Sequence, residues 1–358
     1  MKLHIHLYNL ATDKYRGIIP RVINYFLFLL SLVYGLIVRF IIFINQIKPY
    51  HLNCRVISIG NITWGGTGKT SLVAFIAKYL KNRGHKIAIL SRGYKKPVTP
   101  YPIPVTRYEI MGDEPYMLFR NLGDIPVIAD TDRIRAAEVA MHDYGADTVI
   151  LDDAFQQWRI EKDLEIVTID ATNPFGNWHL IPRGILREPL SSLKRADMFV
   201  LTKANINPDI EDIKVFLNSI NPHAPIFESI HKPVGFYKME KPYDLLDTAA
   251  LKTKIVTLFS GIADPDSFDY LIRNAGIEIG LSFRFPDHYH YLQGDLDKII
   301  KESQKKNIDT LVTTEKDAAR LEGLKVNAGG LMILVLRVEL EIKDEQGFYS
   351  RLRGLYTH

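Results

Sequence analysis

The sequence contains a single cysteine, Cys54, among 358 residues. One cysteine cannot form an internal disulfide or a cysteine-based zinc site, and this scarcity is typical of a reducing compartment. Charge excess is also small, since the formal net charge is +4 and no arginine or lysine run with interleaved aromatic residues occurs. No nucleic-acid partner is therefore expected, while acidic lipid or a phosphorylated substrate stays open. Repeats at a fixed period and low-complexity tracts are also missing, which argues against a repeat architecture or a disordered chain.

Apolar residues are concentrated between Val22 and Ile44, with few polar interruptions. At ~1.5 Å per residue, a helix over this stretch is long enough to cross a ~30 Å hydrocarbon core. Arg39 lies within it, so a membrane-spanning helix and a helix lying in the interface are both open. A buried core helix is a third explanation, although the run is longer than one globular helix needs. We predict that residues 1–48 form a membrane-anchoring region.

A glycine-rich loop connects an apolar strand-like run to a helical pattern. Its residues are Gly65, Gly66, Thr67, Gly68, Lys69 and Thr70. In such a loop the backbone N–H groups point at phosphate oxygens, Lys69 reaches the β- and γ-phosphates, and Thr70 offers a hydroxyl to Mg²⁺. The strict phosphate-loop pattern has glycine where this chain has Thr63, so the match departs at one position. The predicted ligand is a nucleoside triphosphate.

A phosphate loop needs a metal partner, which is normally an acidic residue at the end of a later apolar strand. Asp152 and Asp153 follow such a run. We expect this pair to hold Mg²⁺, one of them directly or through water, and the other to orient the ligands around the ion. A strand followed by an Asx turn is the structural alternative.

Three further segments carry charged or aromatic residues near predicted strand ends, where open α/β sheets place ligands. Arg92 and Tyr94 belong to the first, Asp113 to the second, and Arg187 and Glu188 to the third. The arginines are candidates for phosphate pairing, although solvated surface positions would also explain them. Asp113 also stands at a predicted helix start, where capping is the simpler explanation. Arg92, Tyr94, Arg187 and Glu188 are our candidate substrate residues.

His288 lies in an aromatic segment, FPDHYHY, and its imidazole titrates near neutrality. It is a candidate for proton transfer, while a solvated loop histidine is the default explanation. Metal binding by His288 together with His290 lacks a third ligand at useful spacing.

Predicted strands and helices alternate after the apolar run, which favours parallel sheets covered on both faces. The predicted fold class is α/β, with a P-loop NTPase-type parallel-sheet lobe, a second smaller α/β lobe and the N-terminal membrane-associated helix. We expect the nucleotide-binding lobe at 49–225 and the second lobe at 226–358, the latter completing an active-site cleft.

Eight segments, taken in order, resemble the tetraacyldisaccharide 4′-kinase family, which acts in lipid A synthesis. They are GNITWGGTGKT, SRGY, GDEP, LDDAFQ, FGNWHLIPRGILREP, SGIADPDSF, FPDHYHY and TEKDAARL. The resemblance extends over almost the whole chain in collinear order, and the family shares the absence of glycine at position 63.

The resemblance implies phosphoryl transfer from ATP, with Mg²⁺, to the 4′-hydroxyl of a tetraacylated glucosamine disaccharide 1-phosphate, giving lipid IVA. It also implies an amphipathic N-terminal helix seated in the cytoplasmic leaflet of the inner membrane. By carry-over Asp113 is the catalytic base, His288 is its partner from the other lobe, and Asp152 and Asp153 form the Mg²⁺ site. The oligomeric state is not predicted.

A membrane-associated P-loop ATPase or GTPase switch is the main alternative. Deviant phosphate loops of such proteins carry lysine before the paired glycines, where this chain has Trp64. A guanine-reading T-K-x-D element begins at Thr202 but has Asn205 where the pattern requires aspartate. A soluble small-molecule kinase or ligase is disfavoured by the apolar run.

Overall fold

The computed structural model describes residues 15, 17–93, 103–104, 112–207, 209–239, 241–321, 324 and 330–357. Its α-helices, in chain order, are α1 (Ile18–Ile47), α2 (Lys69–Asn82), α3 (Asp113–Leu122), α4 (Arg133–Tyr144), α5 (Ile210–Ile220), α6 (Pro265–Asn274), α7 (Gln293–Lys305), α8 (Glu315–Arg320) and α9 (Glu345–Gly354). Its strands are β1 (Arg55–Gly60), β2 (Ile87–Ser91), β3 (Ile103–Pro104), β4 (Val127–Ala129), β5 (Thr148–Asp152), β6 (Leu164–Asp170), β7 (Met198–Thr202), β8 (Ile226–Lys238), β9 (Lys241–Leu246), β10 (Ile255–Ser260), β11 (Glu278–Arg284), β12 (Thr310–Thr314) and β13 (Met332–Ile342).

The chain folds into two compact units, each discontinuous in sequence. The first comprises Met1–Arg92, Asp130–Ile230 and Ile342–His358, and the second comprises Gly93–Ala129 and His231–Glu341. This grouping differs from the two contiguous lobes expected from the sequence, because 93–129 joins the second unit and 342–358 returns to the first.

A parallel sheet forms the centre of the first unit, with the strand order β8–β7–β6–β1–β5–β2. Strands β2, β5, β6 and β7 are buried along their whole length, as expected for parallel strands covered on both faces. Gly60 ends β1, where a Cβ atom would stand 2.3 Å from the backbone nitrogen of Phe155. The close approach therefore requires glycine at the start of the phosphate loop.

The last helix, α9, belongs to the first unit although it follows the second in sequence. Phe348 is fully buried and meets Phe227 edge-on, and Tyr349 stacks on Tyr79 of α2 with ring centroids 3.8 Å apart. The C-terminal segment thus completes the packing around α2.

In the second unit, β10 pairs in parallel with β11 and β12, and β12 pairs in parallel with β13. Strand β9 pairs antiparallel with β8, and β3 pairs antiparallel with β4. Apolar side chains of β10, α6 and β13, among them Leu258, Phe268 and Leu334, form a core cluster.

Helix α1 contains the apolar run and begins a few residues before it. Among the described residues it is the helix long and apolar enough to cross a membrane, by length and composition alone. Its buried residues are Ser31, Gly35 and Val38, which share one face, whereas most of its large apolar side chains are exposed. Residues 1–14 and 16 of the predicted anchor region lie outside the described residues.

The predicted α/β fold class is confirmed, and the apolar run is helical as expected. Strands β3, β8, β9 and β11 and helices α5, α8 and α9 were not predicted from the sequence.

Candidate active site

The glycine-rich loop leads from β1 directly into α2. Gly68 precedes the helix in a left-handed conformation with φ 76°, and Gly65 has φ 132°. Such values favour glycine, and they turn the chain so that Lys69 becomes the first residue of α2. The N–H groups at the start of the helix have no carbonyl partner within it, so this end of α2 suits an anion.

Lys69 is held by two groups at the same edge of the sheet. Its ammonium donates to Asn61 Oδ1 at 3.1 Å and lies 3.4 Å from Asp153 Oδ1. Arg187 Nη1 lies 3.0 Å from the same Asp153 oxygen. Burial raises the pKa of Asp153, but Lys69 and Arg187 outweigh it and lower that pKa to about 2. Asp153 is therefore a carboxylate between two cations.

Asp152 ends β5 beside Ile59 of β1, so parallel pairing brings it to the strand ends from which the phosphate loop starts. Buried Arg133 donates to its backbone carbonyl at 3.4 Å. Burial lowers the pKa of Arg133 to about 10 despite the nearby carboxylates of Asp152 and Asp153. Arg133 was not singled out from the sequence, since an arginine at a helix start gives no local sign of burial.

The donor chemistry at this edge suits Mg²⁺. Asp152, Asp153 and Thr70 offer carboxylate and hydroxyl oxygens, which this hard cation prefers. No group of three or more His, Cys, Asp or Glu able to hold a metal was found among the described residues. That finding is compatible with Mg²⁺, which usually keeps waters and binds through few carboxylates together with substrate phosphates.

The predicted substrate residues have different environments. Arg187 is partly exposed and donates to Asp153 and to Gln156 Oε1 at 3.2 Å. Glu188 is fully buried, accepts from Gln156 and Trp158 at 3.1 Å each, and lies 2.9 Å from Arg195. This burial favours a structural role for Glu188.

Arg92 and Tyr94 belong to the predicted substrate set as well. Arg92 is exposed just after β2, and Tyr94 lies outside the described residues.

Asp113 and His288 come together in the second unit. His288 Nδ1 lies 3.0 Å from Asp113 Oδ2. The two residues therefore share one unit rather than coming from separate lobes. Asp113 is the first residue of α3, and His288 has a left-handed φ of 57°. Strained backbone of this kind is often retained at functional sites.

Arg320 is the third member of this cluster. It lies in the TEKDAARL segment, but no role was predicted for it from the sequence. Its guanidinium Nε donates to Asp113 Oδ2 at 3.0 Å, and its Nη2 contacts the same oxygen. Its Nη1 donates to Asp317 Oδ1 at 2.9 Å and to the carbonyl of Gly261. Arg320 ends α8 and Asp113 begins α3, so only the folded chain shows their contact.

These contacts shift the titration of the pair. Burial raises the pKa of Asp113, but the hydrogen bond from His288 and the charge of Arg320 hold it well below its usual range. The hydrogen bond to Asp113 raises the pKa of His288, against the lowering effects of burial and of Arg320. Asp113 is thus ionised at neutral pH and orients an imidazole that protonates more readily than usual.

A second ion pair joins α8 to α3, between Lys316 and Glu114. It adds a cross-helix contact next to the Asp113–Arg320 pair. Two consecutive acidic residues at the start of α3, Asp113 and Glu114, are therefore paired with Arg320 and Lys316 of α8.

Comparisons with known proteins match nearly the full chain to one family of kinases. A family model described as tetraacyldisaccharide-1-P 4′-kinase matches residues 23–357. The tetraacyldisaccharide 4′-kinase of Halothermothrix orenii is 34% identical over 371 aligned residues, covering 96% of this chain and 95% of the relative. That of Desulfatibacillum aliphaticivorans is 35% identical over 347 residues, covering 91% of each.

A solved structure is similar as well. The crystal structure of the apo form of LpxK from Aquifex aeolicus in complex with ATP aligns with a TM-score of 0.73 and 27% identity, covering 93% of this chain and 99% of that one.

Proposed function

The chain belongs to the tetraacyldisaccharide-1-P 4′-kinase family, and on that premise we propose its substrates: it transfers the γ-phosphoryl group of ATP to the 4′-hydroxyl of a tetraacylated glucosamine disaccharide 1-phosphate. The product is lipid IVA, and the reaction takes place at the cytoplasmic face of the inner membrane. ATP as the donor is supported by the ATP complex of the similar LpxK structure.

The Asp113–His288 pair is the observation that carries this proposal. A phosphate loop alone serves a nucleotide switch equally well, whereas a kinase acting on a sugar hydroxyl must also dispose of a proton. A buried carboxylate that orients a histidine is a suitable acceptor.

The first unit binds the nucleotide through Lys69 and the amides at the start of α2. Because Lys69 already lies in a network with Asn61 and Asp153, its ammonium is oriented before ATP arrives. Mg²⁺, held by Thr70 and one of the aspartates 152 and 153, would neutralise charge on the transferring phosphoryl group.

In the second unit, His288 takes the hydroxyl proton. A sugar hydroxyl has too high a pKa to ionise in advance, so the proton leaves late, as the bond to phosphorus forms. Asp113 Oδ2 is occupied by His288 and Arg320, and its side chain is 6% exposed against 35% for His288. We therefore assign the proton to His288 Nε2 and the orienting role to Asp113. This reverses the roles expected from the resemblance.

The membrane setting follows from the substrate. An acylated disaccharide is too apolar to leave a bilayer at ~0.8 kcal/mol per buried CH₂, so the enzyme has to reach it there. The exposed apolar side chains of α1 provide a surface for that contact.

The test is direct. The purified chain is incubated with ATP, Mg²⁺ and detergent-dispersed disaccharide lipid, and the lipid is examined by mass spectrometry for the gain of one phosphate. We expect full conversion by the wild type, and for Lys69→Ala a loss of at least about a hundredfold, since a main phosphate contact is removed. Lys78→Ala, an exposed lysine on the same helix, is the control and should match the wild type. ATP consumption without a phosphorylated lipid would reject the proposed substrate.

A further inference from the structure

Residues 179–187 form a tight loop that folds back on itself between α1 and the phosphate loop. We name it the hairpin after its path, although its bridge between Leu180 and Leu186 is parallel and it is not a β-hairpin. It is closed by backbone hydrogen bonds from Gly184 N to the Leu180 carbonyl at 2.9 Å and from Ile181 N to the Leu186 carbonyl at 2.9 Å. These bonds hold the segment in one conformation. A displacement of its contacts on one side can therefore change its contacts on the other side.

On one side the hairpin contacts α1. The Tyr34 hydroxyl donates to the Arg187 carbonyl at 2.8 Å, and Phe28 meets His179 edge-on with ring centroids 5.6 Å apart. A Cβ atom on Gly35 would stand 2.7 Å from Leu180 Cδ1, so the helix backbone runs close to the hairpin. The narrow buried face of α1 is thus the face that binds this segment.

On the other side the hairpin pairs with the start of the phosphate loop. Arg187 N donates to the Ile62 carbonyl at 2.8 Å, and Trp64 N donates to the Ile185 carbonyl at 2.7 Å. An isolated antiparallel bridge links Thr63 with the residue between them, Leu186. The hairpin therefore adds a short strand-like edge to the loop that precedes Lys69.

Arg187 is the residue where both sides meet. Its carbonyl accepts from Tyr34, its amide donates to Ile62, and its guanidinium binds Asp153. Asp153 in turn pairs with Lys69. A continuous path of hydrogen bonds and ion pairs thus runs from the apolar helix to the lysine of the phosphate loop.

We propose that Tyr34 is a positioning residue that ties α1 to the nucleotide site: its hydroxyl fixes Arg187, which sets the Asp153–Lys69 pair for triphosphate binding. The seating of α1 is then coupled to the readiness of the site for ATP. The effect of Tyr34 on ATP binding is inferred from contacts within the first unit alone. The link between lipid binding by α1 and ATP binding rests on the proposed function.

The matched variants are Tyr34→Phe and Tyr25→Phe, which each remove one hydroxyl from α1. Tyr25 is 67% exposed and serves as the control. For Tyr34→Phe we expect ATP to bind about fivefold more weakly in the presence of Mg²⁺ and without lipid, the change that one hydrogen bond of ordinary net strength gives. The Arg187 and Trp64 amides should exchange hydrogen several-fold faster, since their partners lie in the loosened segment. Tyr25→Phe should leave both quantities unchanged.

A second variant, Gly35→Leu, tests the same contact in case Tyr34→Phe fails to fold. Gly35→Leu inserts a side chain against Leu180 and should produce the same two effects through the same hairpin. Vesicles of phosphatidylethanolamine and phosphatidylglycerol at about 3:1 should bind Tyr34→Phe and Gly35→Leu as they bind the wild type, because the contacts of Tyr34 and Gly35 face the protein.

Equal ATP affinity and equal amide exchange in Tyr34→Phe and Tyr25→Phe would overturn the proposal. A Tyr34→Phe protein with reduced vesicle binding and unchanged ATP affinity would also overturn it, since the hydroxyl would then act only toward lipid. If the wild type transfers no phosphate to the lipid while Tyr34→Phe still weakens ATP binding, the proposed function fails and the positioning role stands.

Discussion

At the residue scale, Asp113 gathers an imidazole and a guanidinium on a single carboxylate oxygen. Removing one partner of a buried charge pair usually costs about 3–5 kcal/mol, because the remaining charge is left uncompensated. Arg320 therefore has two effects: it stabilises the second unit, and its charge lowers the pKa of His288. The neighbouring charges of Asp287 and Asp317 act in the same network.

We expect Arg320→Gln to lower kcat about tenfold or more and to move the acid limb of the pH–rate profile to higher pH. Arg320 lowers the pKa of His288, so its removal raises that pKa further above the ordinary value. The imidazole must be neutral to accept a proton, and a higher pKa delays this state as pH rises. Steady-state kinetics between about pH 5 and 9 measure the shift.

The exposed Arg273 of α6 is the control for this experiment, and Arg273→Gln should keep the wild-type profile. A uniform loss of kcat at every pH, with no displacement of the acid limb, would mean that Arg320 acts only through stability.

Residues differ in how well the sequence predicted them. Lys69 and its glycines follow each other in the chain, so a local pattern was sufficient to predict the loop between β1 and α2. The Asp113–His288 contact was expected from the family resemblance and lies at 3.0 Å in the structure. Arg320 is 207 positions from Asp113, and its role depends on the packing of α8 against α3, which no local pattern contains.

At the element scale, α1 has two different faces. Its buried face is small and holds Gly35 against the hairpin, while residues such as Leu36 and Phe43 are about two-thirds exposed at 66% and 65%. An exposed apolar surface of this extent on a folded protein indicates a binding surface for lipid or another apolar partner.

We expect the double variant Leu36→Asn and Phe43→Asn to reduce binding to phosphatidylglycerol-containing vesicles at least about tenfold. Fully burying one such side chain contributes about 1.5–3 kcal/mol, and the variant removes two. ATP affinity should not change, because both positions lie away from the buried face. Co-sedimentation with vesicles and ATP titration measure the two quantities.

Val215→Asn on α5, also an exposed apolar residue, controls for a general change in surface polarity. Vesicle binding that survives the double variant intact would remove α1 as the lipid-binding element.

Elements that sequence patterns missed share a physical property. The buried strands β2, β5 and β7 are nearly continuous apolar runs, whereas β11 is mostly half-exposed and β8 contains lysine, histidine and proline. Their stability comes from pairing with neighbouring strands rather than from their own apolar content. The buried strands were recognisable because burial on both faces requires a nearly continuous apolar run in the sequence.

At the scale of the whole molecule, each unit is assembled from distant parts of the chain. Helix α9 returns to the unit of the phosphate loop, where Phe348 is fully buried. The nucleotide-binding unit thus depends on residues far from Lys69 in sequence.

We expect Phe348→Ala to destabilise the protein by about 3–5 kcal/mol, the usual cost of deleting a buried aromatic ring. Denaturant unfolding followed by circular dichroism measures the loss. Saturating ATP should recover part of it, because a ligand that binds only the folded state stabilises that state.

Arg351→Ala, on an exposed position of the same helix, should stay within about 0.5 kcal/mol of the wild type. Similar stabilities of the two variants would show that α9 contributes little to the unit.

The return of α9 also bears on biosynthesis. A ribosome releases α1 early, yet the helix that closes the same unit emerges only after residues 231–341 of the second unit. Since compact units fold as wholes, the second unit has its full set of residues before the first one does. The apolar helix therefore spends most of translation without its finished scaffold, an interval in which an early encounter with the bilayer would shield it from aggregation.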